Sequence, residues 1–224
     1  MVQYKVSDTT IQLIAGRFIP QVLEHRATRI LRSRFNVAPT KIVKNRWLSA
    51  DDISPNVKAT ILMSAMGANK TGSVIDDIAR IPQETRGRVL WLTPTITLSA
   101  NTIQRLRDAG IDVVGYKELT AKEKRAGLLE DEDFVVCSIR SLHYTEKDYD
   151  IVVIDEIEAL MFTFGKDAAT HRDEETKEDR LAHNFARFKE ILTKCKKLIL
   201  MDAFITQTTM DLVKHVSLDL YETI

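Results

Sequence analysis

The chain has 224 residues, 44% of them hydrophobic and 29% charged, with 8 Gly and 5 Pro. That length allows one large domain or two small ones, and that composition excludes collagen-like, low-complexity and disordered classes. Lys plus Arg and Asp plus Glu number 32 each, so no global charge announces a nucleic-acid or membrane partner, and any such partner must be met by a local patch.

In chain order, the apolar residues from Thr9 to Phe35 recur at helical spacing and predict two helices, with Pro20 breaking the run or starting the second. Arg26, Arg29, Arg32 and Arg34 make this stretch locally basic: a solvated helix face, or a surface for nucleic acid or a partner. Ala38–Ser54 is mixed, with a strand expected over Lys41–Leu48, and Ser54-Pro55 marks a boundary. Residues 1–55 are therefore expected to form an N-terminal helical appendage.

Beyond the boundary the pattern becomes regular. Short apolar runs at Ala59–Ser64, Val89–Thr93, Ile111–Val114, Phe134–Cys137, Ile151–Ile154 and Leu198–Met201 alternate with longer helical or charged segments. Such runs suit strands buried on both faces, and the connectors suit crossover helices of a parallel sheet. The expected fold over 56–217 is an α/β, doubly wound, mainly parallel sheet with helices on both faces, ending in a helix over Thr206–Val216. The polar stretch from Phe164 to Asp179 reads as an exposed loop, and 218–224 as the start of a linker or a tail. Cys137 and Cys195 supply neither a CxxC nor histidines at metal spacing, and Cys137 reads as core. No apolar run approaches the ~18 residues of a membrane span and the start lacks a signal-peptide core, so no membrane partner and a reducing cytoplasm are expected.

Two segments carry chemistry. The first apolar run ends in Ser64-Ala65-Met66-Gly67-Ala68-Asn69-Lys70-Thr71, followed by residues able to start a helix. A strand, tight turn, Lys-Thr pair and helix N-terminus bind nucleotide phosphates through backbone N–H groups and the helix dipole. Lys70 would reach the β- and γ-phosphates and the Thr71 hydroxyl would hold Mg²⁺. Against G-x-x-x-x-G-K-[ST], Ser64 and Asn69 replace the two glycines. Asn tolerates positive φ, but its side chain could crowd the phosphates; an ordinary strand-to-helix turn is the alternative. The second segment is Ile151-Val152-Val153-Ile154-Asp155-Glu156-Ile157-Glu158, a strand with a carboxylate pair where open α/β sheets bind ligands. Asp155 could hold Mg²⁺ and Glu156 could orient or deprotonate an attacking water; alternatively, the pair caps the next helix.

Met66–Thr71, Val89–Thr95, Asp155–Glu158 and Leu198–Ala203, in that order, resemble motifs I, Ia, II and III of superfamily 2 helicases. Within that superfamily they are most similar to the replication origin-binding helicases of herpesviruses and their relatives in large bacteriophages. The resemblance spans about residues 57–210. It implies a RecA-like ATPase lobe using ATP and Mg²⁺, working on DNA, single-stranded or duplex, in replication; for a phage protein the setting is the host cytoplasm.

By position, the resemblance places Ser64, Met66, Gly67, Ala68, Asn69, Lys70 and Thr71 at the nucleotide, Thr71 and Asp155 at the metal, and Glu156, Lys70 and Asp155 at the chemistry. Thr93, Pro94 and Thr95 fall on motif Ia, and Ser138, Arg140 and Ser141 resemble a further segment contacting the nucleic-acid backbone. Asp202 and Ala203 fall on motif III, which links the nucleotide site to that surface. Such helicases need a second RecA-like lobe supplying an arginine, and the residues after Ala203 are too few for one. The expectation is a fragment of a longer polypeptide, or a single lobe relying on a partner. The alternative function is a nucleic-acid-binding or scaffold module with a degenerate, non-hydrolysing nucleotide site. A P-loop kinase or small metabolite NTPase needs neither the DEIE box nor the Asp-Ala strand end.

Overall fold

The β-branched apolar runs fold as the central strands of a parallel sheet, in a computed structural model that describes residues 39–120, 122–123, 132–166, 180–217 and 221–224. Contacts divide the chain into units of residues 1–37 and 38–224, and every described residue belongs to the second. The predicted N-terminal helices with their arginines, and residues 167–179 of the polar stretch, lie outside the described residues.

The strands are β1 (Ala59–Met63), β2 (Val89–Thr93), β3 (Val114–Gly115), β4 (Phe134–Ser138), β5 (Ile151–Asp155), β6 (Lys197–Asp202) and β7 (Tyr221–Thr223). They form one 7-stranded sheet in the order β3-β4-β2-β5-β6-β1-β7, with every pairing parallel. β2, β4 and β5 are buried along their whole length, as continuous apolar runs covered on both faces require.

The helices are α1 (Lys70–Ala79), α2 (Gln83–Arg86), α3 (Ile96–Asp108), α4 (Ile157–Lys166), α5 (Arg180–Lys194) and α6 (Gln207–Ser217). Because alternate strand residues face opposite ways, Leu62, Trp91, Val136, Val153 and Met201 share one face, where they pack with Val74, Ile75 and Ile78 of α1 and Ile103 and Leu106 of α3. The alternate strand residues, including Ile61, Leu90, Leu92, Ile154 and Leu200, are equally buried, and α4, α5 and α6 contact β6 or one another. Both cysteines are free and buried, and burial pushes the Cys137 thiol up to about 12.

Four details depart from the sequence pattern. The strand expected over Lys41–Leu48 is irregular: Thr40 and Lys41 both donate their N–H to the Thr223 carbonyl (3.0 and 3.1 Å), after which Ile42 turns outward, 74% exposed. The run Ile111–Val114 yields only the two-residue β3, because Ile111 donates its N–H to Leu106 and closes α3 instead. Phe164 and the two residues after it continue α4 rather than opening the polar loop. Residues 221–223, read as linker or tail, pair with β1 at the sheet edge.

At the N-terminal ends of the strands Asp150 joins three of them. Its carboxylate accepts the Arg88 N–H (2.9 Å) and pairs with Lys196 (2.7 Å), and its carbonyl accepts the N–H groups of Lys196 and Lys197. Lys196 first, then the Arg88 N–H, holds this carboxyl below the usual range. Gly87 (φ +71°) is required here, since a Cβ would lie 2.4 Å from the Asp150 oxygen.

Candidate nucleotide site

The strand order places β5, β6 and β1 side by side, so the loops leaving their carboxyl ends meet over one edge of the sheet, where open α/β folds bind ligands. An open cleft of about 1060 Å³ lies there, lined by Met66, Gly67, Asn69, Lys70 and Thr71 after β1, Asp155, Glu156 and Glu158 after β5, and Asp202, Ala203 and Phe204 after β6.

The loop from Ser64 to Asn69 makes its turn through Gly67 (φ 77°) and Asn69 (φ 64°), with Ala68 donating its N–H to Ala65 (3.3 Å). Asn69 is the left-handed residue before α1 and makes no side-chain cap, and the first turn of α1 contains no acidic residue. That helix end therefore offers its first N–H groups and positive dipole end to an anion. The Lys70 ammonium donates to the Ser64 and Ala65 carbonyls (2.5 and 3.1 Å). Partial burial lowers its pKa, against the opposing pull of Asp202, Asp155 and Glu156. The Ser64 Oγ is buried with no hydrogen-bond partner.

The sequence left open whether the Asn69 side chain would crowd the phosphates. It is held on two sides: Nδ2 donates to the Leu48 carbonyl (3.1 Å) and Oδ1 occupies the place that a Cβ on Gly72 would need. Leu48 in turn donates its N–H to Ala68 (3.0 Å). Asn69 and Gly72 thus form a matched pair. Gly72→Ala alone is expected to dislodge Asn69 and weaken nucleotide binding roughly tenfold, and Asn69→Gly in the same chain to restore it, the coupling expected of contacting residues. Calorimetric titration of the single and double variants checks this; equal losses in both would break the pairing.

Asp155 is buried at the end of β5. Desolvation, then the neighbouring Glu156, raises its carboxyl to about 6, despite Lys70 and Arg105 nearby. Glu156 is exposed and has a left-handed backbone (φ 55°) at the turn from β5 into α4. The two following carboxylates are tied into the scaffold. Asp202 accepts the N–H of Glu158 (2.9 Å) and of Ala203 (2.6 Å), while Glu158 Oε1 accepts from the Thr206 N–H and the Thr209 hydroxyl (both 2.7 Å). The DEIE turn is thereby fastened to the β6–α6 turn. A Mg²⁺ fits this donor set: the Thr71 hydroxyl and Asp155 carboxylate are hard oxygen donors on one cleft, and such ions take one or two protein oxygens, with phosphates and waters completing the shell. Among the described residues no group of three or more His, Cys, Asp or Glu gathers to hold a metal without phosphates.

The residues expected to touch a nucleic-acid backbone lie elsewhere, and only some present side chains. Thr93 is buried with its hydroxyl on the Thr95 carbonyl and Ser99, and Pro94 is buried beside it. Thr95 is exposed and caps α3, its Oγ1 accepting the Leu98 N–H (3.3 Å). Ser138 and Ser141 are buried and face each other at 3.4 Å, whereas Arg140 is exposed. Trp47, Leu98, Arg105 and Phe162 complete the cleft; sequence patterns passed over them because they come from segments without a motif. Glu158 lay within the DEIE box, but its role as a staple depends on α6.

A parallel α/β sheet with a strand-loop-helix and a carboxylate pair converging at its carboxyl edge has the RecA-like fold. Solved structures agree on the fold: a DEAD box protein from the hyperthermophile Methanococcus jannaschii (TM-score 0.57, 16% identity, 78% of this chain and 46% of that one), and a hypothetical ATP-dependent RNA helicase from Sulfolobus tokodaii (TM-score 0.54, 21% identity, 81% and 53%). More narrowly, the chain belongs to the family described as origin of replication binding protein, whose pattern matches residues 49–219. The replication origin-binding proteins of human herpesviruses 6A (strain Uganda-1102) and 6B (strain Z29) are 25% identical to it over 152 residues, which is 67% of this chain and 17% of theirs. The chain thus corresponds to a small part of those relatives. Among the described residues no helix is long and apolar enough to cross a membrane.

Proposed function

We propose that this chain is the ATP-binding lobe of a DNA helicase or translocase that acts in replication and hydrolyses ATP with Mg²⁺ when paired with a second RecA-like lobe. The observation that carries this is the meeting of Lys70, Thr71, Asp155 and Glu156 in one cleft at the carboxyl ends of β1 and β5, the two strands that flank β6, supported by membership of the origin-binding family.

In this reading the α1 N-terminus and Lys70 bind the phosphates, Lys70 exchanging the Ser64 and Ala65 carbonyls for phosphate oxygens. Thr71 and Asp155 would hold Mg²⁺, which neutralises charge at the β- and γ-phosphates when bound. Glu156 orients or deprotonates the attacking water. Asp202 and Glu158, bonded to each other's segments, relay the state of the cleft toward the surface bearing Thr95 and Arg140. The second lobe supplies the arginine that stabilises the transferring phosphoryl group. The proposed lobe runs over residues 38–224, which contacts group as one unit and in which β7 is an edge strand of the sheet, and the proposed appendage lies before it.

Because the Asn69 amide is bonded to the Leu48 carbonyl, a hydrolysing site is favoured over a degenerate scaffold module. The test is titration of the intact chain with Mg·ATP: binding should be measurable and should fall about 100-fold in Lys70→Ala, the scale of removing one charged partner from a phosphate. Absent binding, or binding unchanged in that variant, would overturn the phosphate-loop assignment.

A further inference from the structure

Of the six charged side chains that line the cleft among the described residues, four are carboxylates, Asp155, Glu156, Glu158 and Asp202, and two are cations, Lys70 and Arg105. A triphosphate brings further negative charge into a cleft already acidic on balance, so each cation weighs heavily on whether it is held. Lys70 belongs to the phosphate loop, whereas Arg105 comes from α3, where Leu98, Thr102 and Arg105 follow at i, i+4 and i+7 and so share one face. Leu98 and Arg105 line the cleft, and Thr102 between them is buried. The neighbouring polar side chains of α3 are engaged elsewhere: Arg107 donates to both Glu118 carboxylate oxygens (2.8 Å each) and to the Val113 carbonyl (3.0 Å), and Gln104 donates to Asp108 (2.8 Å). Arg105 is exposed, and among the described residues its guanidinium has no hydrogen bond or ion pair. Its charge is nevertheless felt at the carboxylate pair: burial, then Glu156, raise the Asp155 carboxyl, and Lys70 and Arg105 pull the other way.

Resting on the nucleotide reading above, we propose that Arg105 binds the terminal phosphate of the nucleoside triphosphate from within this lobe, and that this contact makes the lobe prefer a triphosphate to a diphosphate before a second lobe closes on it. Which phosphate it meets follows from the chemistry of the two ends. Lys70 and the α1 N-terminus hold the phosphates at the loop after β1, and the phosphate under attack must lie within reach of the water that Glu156 orients. Arg105 stands at that second end, on the Asp155 side of the cleft. A guanidinium suits the position, because it stays charged at any working pH and its planar fork bonds two phosphate oxygens at once. The arginine assigned above to the second lobe stabilises phosphoryl transfer. Arg105 acts earlier, on binding, in a lobe that is still open.

The experiment titrates the intact chain, Arg105→Ala and Arg105→Lys with ATP and with ADP, each with Mg²⁺, by calorimetry. Arg105 is exposed on a helix and Ala is the best helix former, so the variant should fold, which circular dichroism checks. The wild-type chain is expected to prefer ATP to ADP by about tenfold. Arg105→Ala should weaken ATP about 30-fold and ADP no more than about threefold, so that the preference disappears. Arg105→Lys, which keeps the charge and loses the fork, should fall between the two. Equal losses of ATP and ADP in Arg105→Ala would show that Arg105 serves only the general charge of the cleft. That result, an unchanged ATP affinity in Arg105→Ala, or a wild-type chain that binds ATP and ADP alike each overturns the proposal. A wild-type chain that binds neither nucleotide overturns the phosphate-loop reading instead.

Discussion

Glu156→Gln, placed in a polypeptide that carries both lobes, is expected to lower DNA-stimulated ATP turnover by about 10²–10⁴ while Mg·ATP still binds, the range typical of losing a positioned general base. The substitution keeps the size and shape of the side chain and removes only its ability to accept a proton. Glu156 sits on a backbone of φ 55°, a conformation that costs a non-glycine residue about 1–2 kcal/mol. It is held there by the end of β5 on one side and by its carbonyl, which accepts the Leu160 N–H (3.0 Å) as α4 begins, on the other. Gln meets the same backbone demand, so the turn should survive. Steady-state turnover and nucleotide titration on the same preparation separate the two effects. Turnover within about threefold of the parent would remove Glu156 from the chemistry.

The second large effect concerns stability. Asp155 is buried and its carboxyl is raised from 3.8 to about 6. A carboxylic acid that holds its proton more tightly folded than unfolded weakens the folded state as pH rises through the window between those values. Above it, at about 1.4 kcal/mol per pH unit of separation, the metal-free protein carries a penalty on the order of 3 kcal/mol. Asp155→Asn, which has no charge to desolvate, should therefore make the metal-free chain more stable at pH 7.5 by up to about that amount. The gain should shrink toward zero as pH falls to about 4, and Mg²⁺ should no longer strengthen ATP binding. Urea unfolding of both chains at several pH values, with nucleotide titrations with and without Mg²⁺, reads all three. A variant no more stable than the parent at pH 7.5 would show that the carboxylate is compensated in the fold.

The parallel sheet was legible because its strands are buried on both faces and so are written as unbroken apolar runs such as Ile151–Ile154. The grouping of Lys70, Thr71, Asp155 and Glu156 was legible because motif order fixes which strand ends meet. What stayed hidden depends on contacts distant in sequence. The direction of Asn69 is decided by Leu48 and Gly72. Thr93 read as a surface hydroxyl because nothing local reveals that Ser99 would cover it. β7 carries no periodicity in three residues; its place comes from β1, with Ile224 donating its N–H to Ile61 and accepting that of Met63. The stretch Lys41–Leu48 was expected to be a strand, but with Thr40 and Lys41 both on the Thr223 carbonyl, no strand among the described residues pairs with it.

That same stretch is fixed at two points. Thr40 exchanges hydrogen bonds with Thr223 on the edge strand, its N–H and hydroxyl donating to the Thr223 carbonyl and its hydroxyl accepting the Thr223 N–H, and Leu48 is bonded to Ala68 and Asn69. The proposed phosphate loop, with only two glycines among its turning and flanking positions, Gly67 and Gly72, is thereby held in shape by a strap from outside the loop. The conformational entropy of ordering it is lost when the lobe folds rather than when a nucleotide arrives, so binding starts from a preorganised site. By the same logic, affinity for nucleotide becomes sensitive to whatever pulls on the residues before Thr40, far from any atom that touches a phosphate.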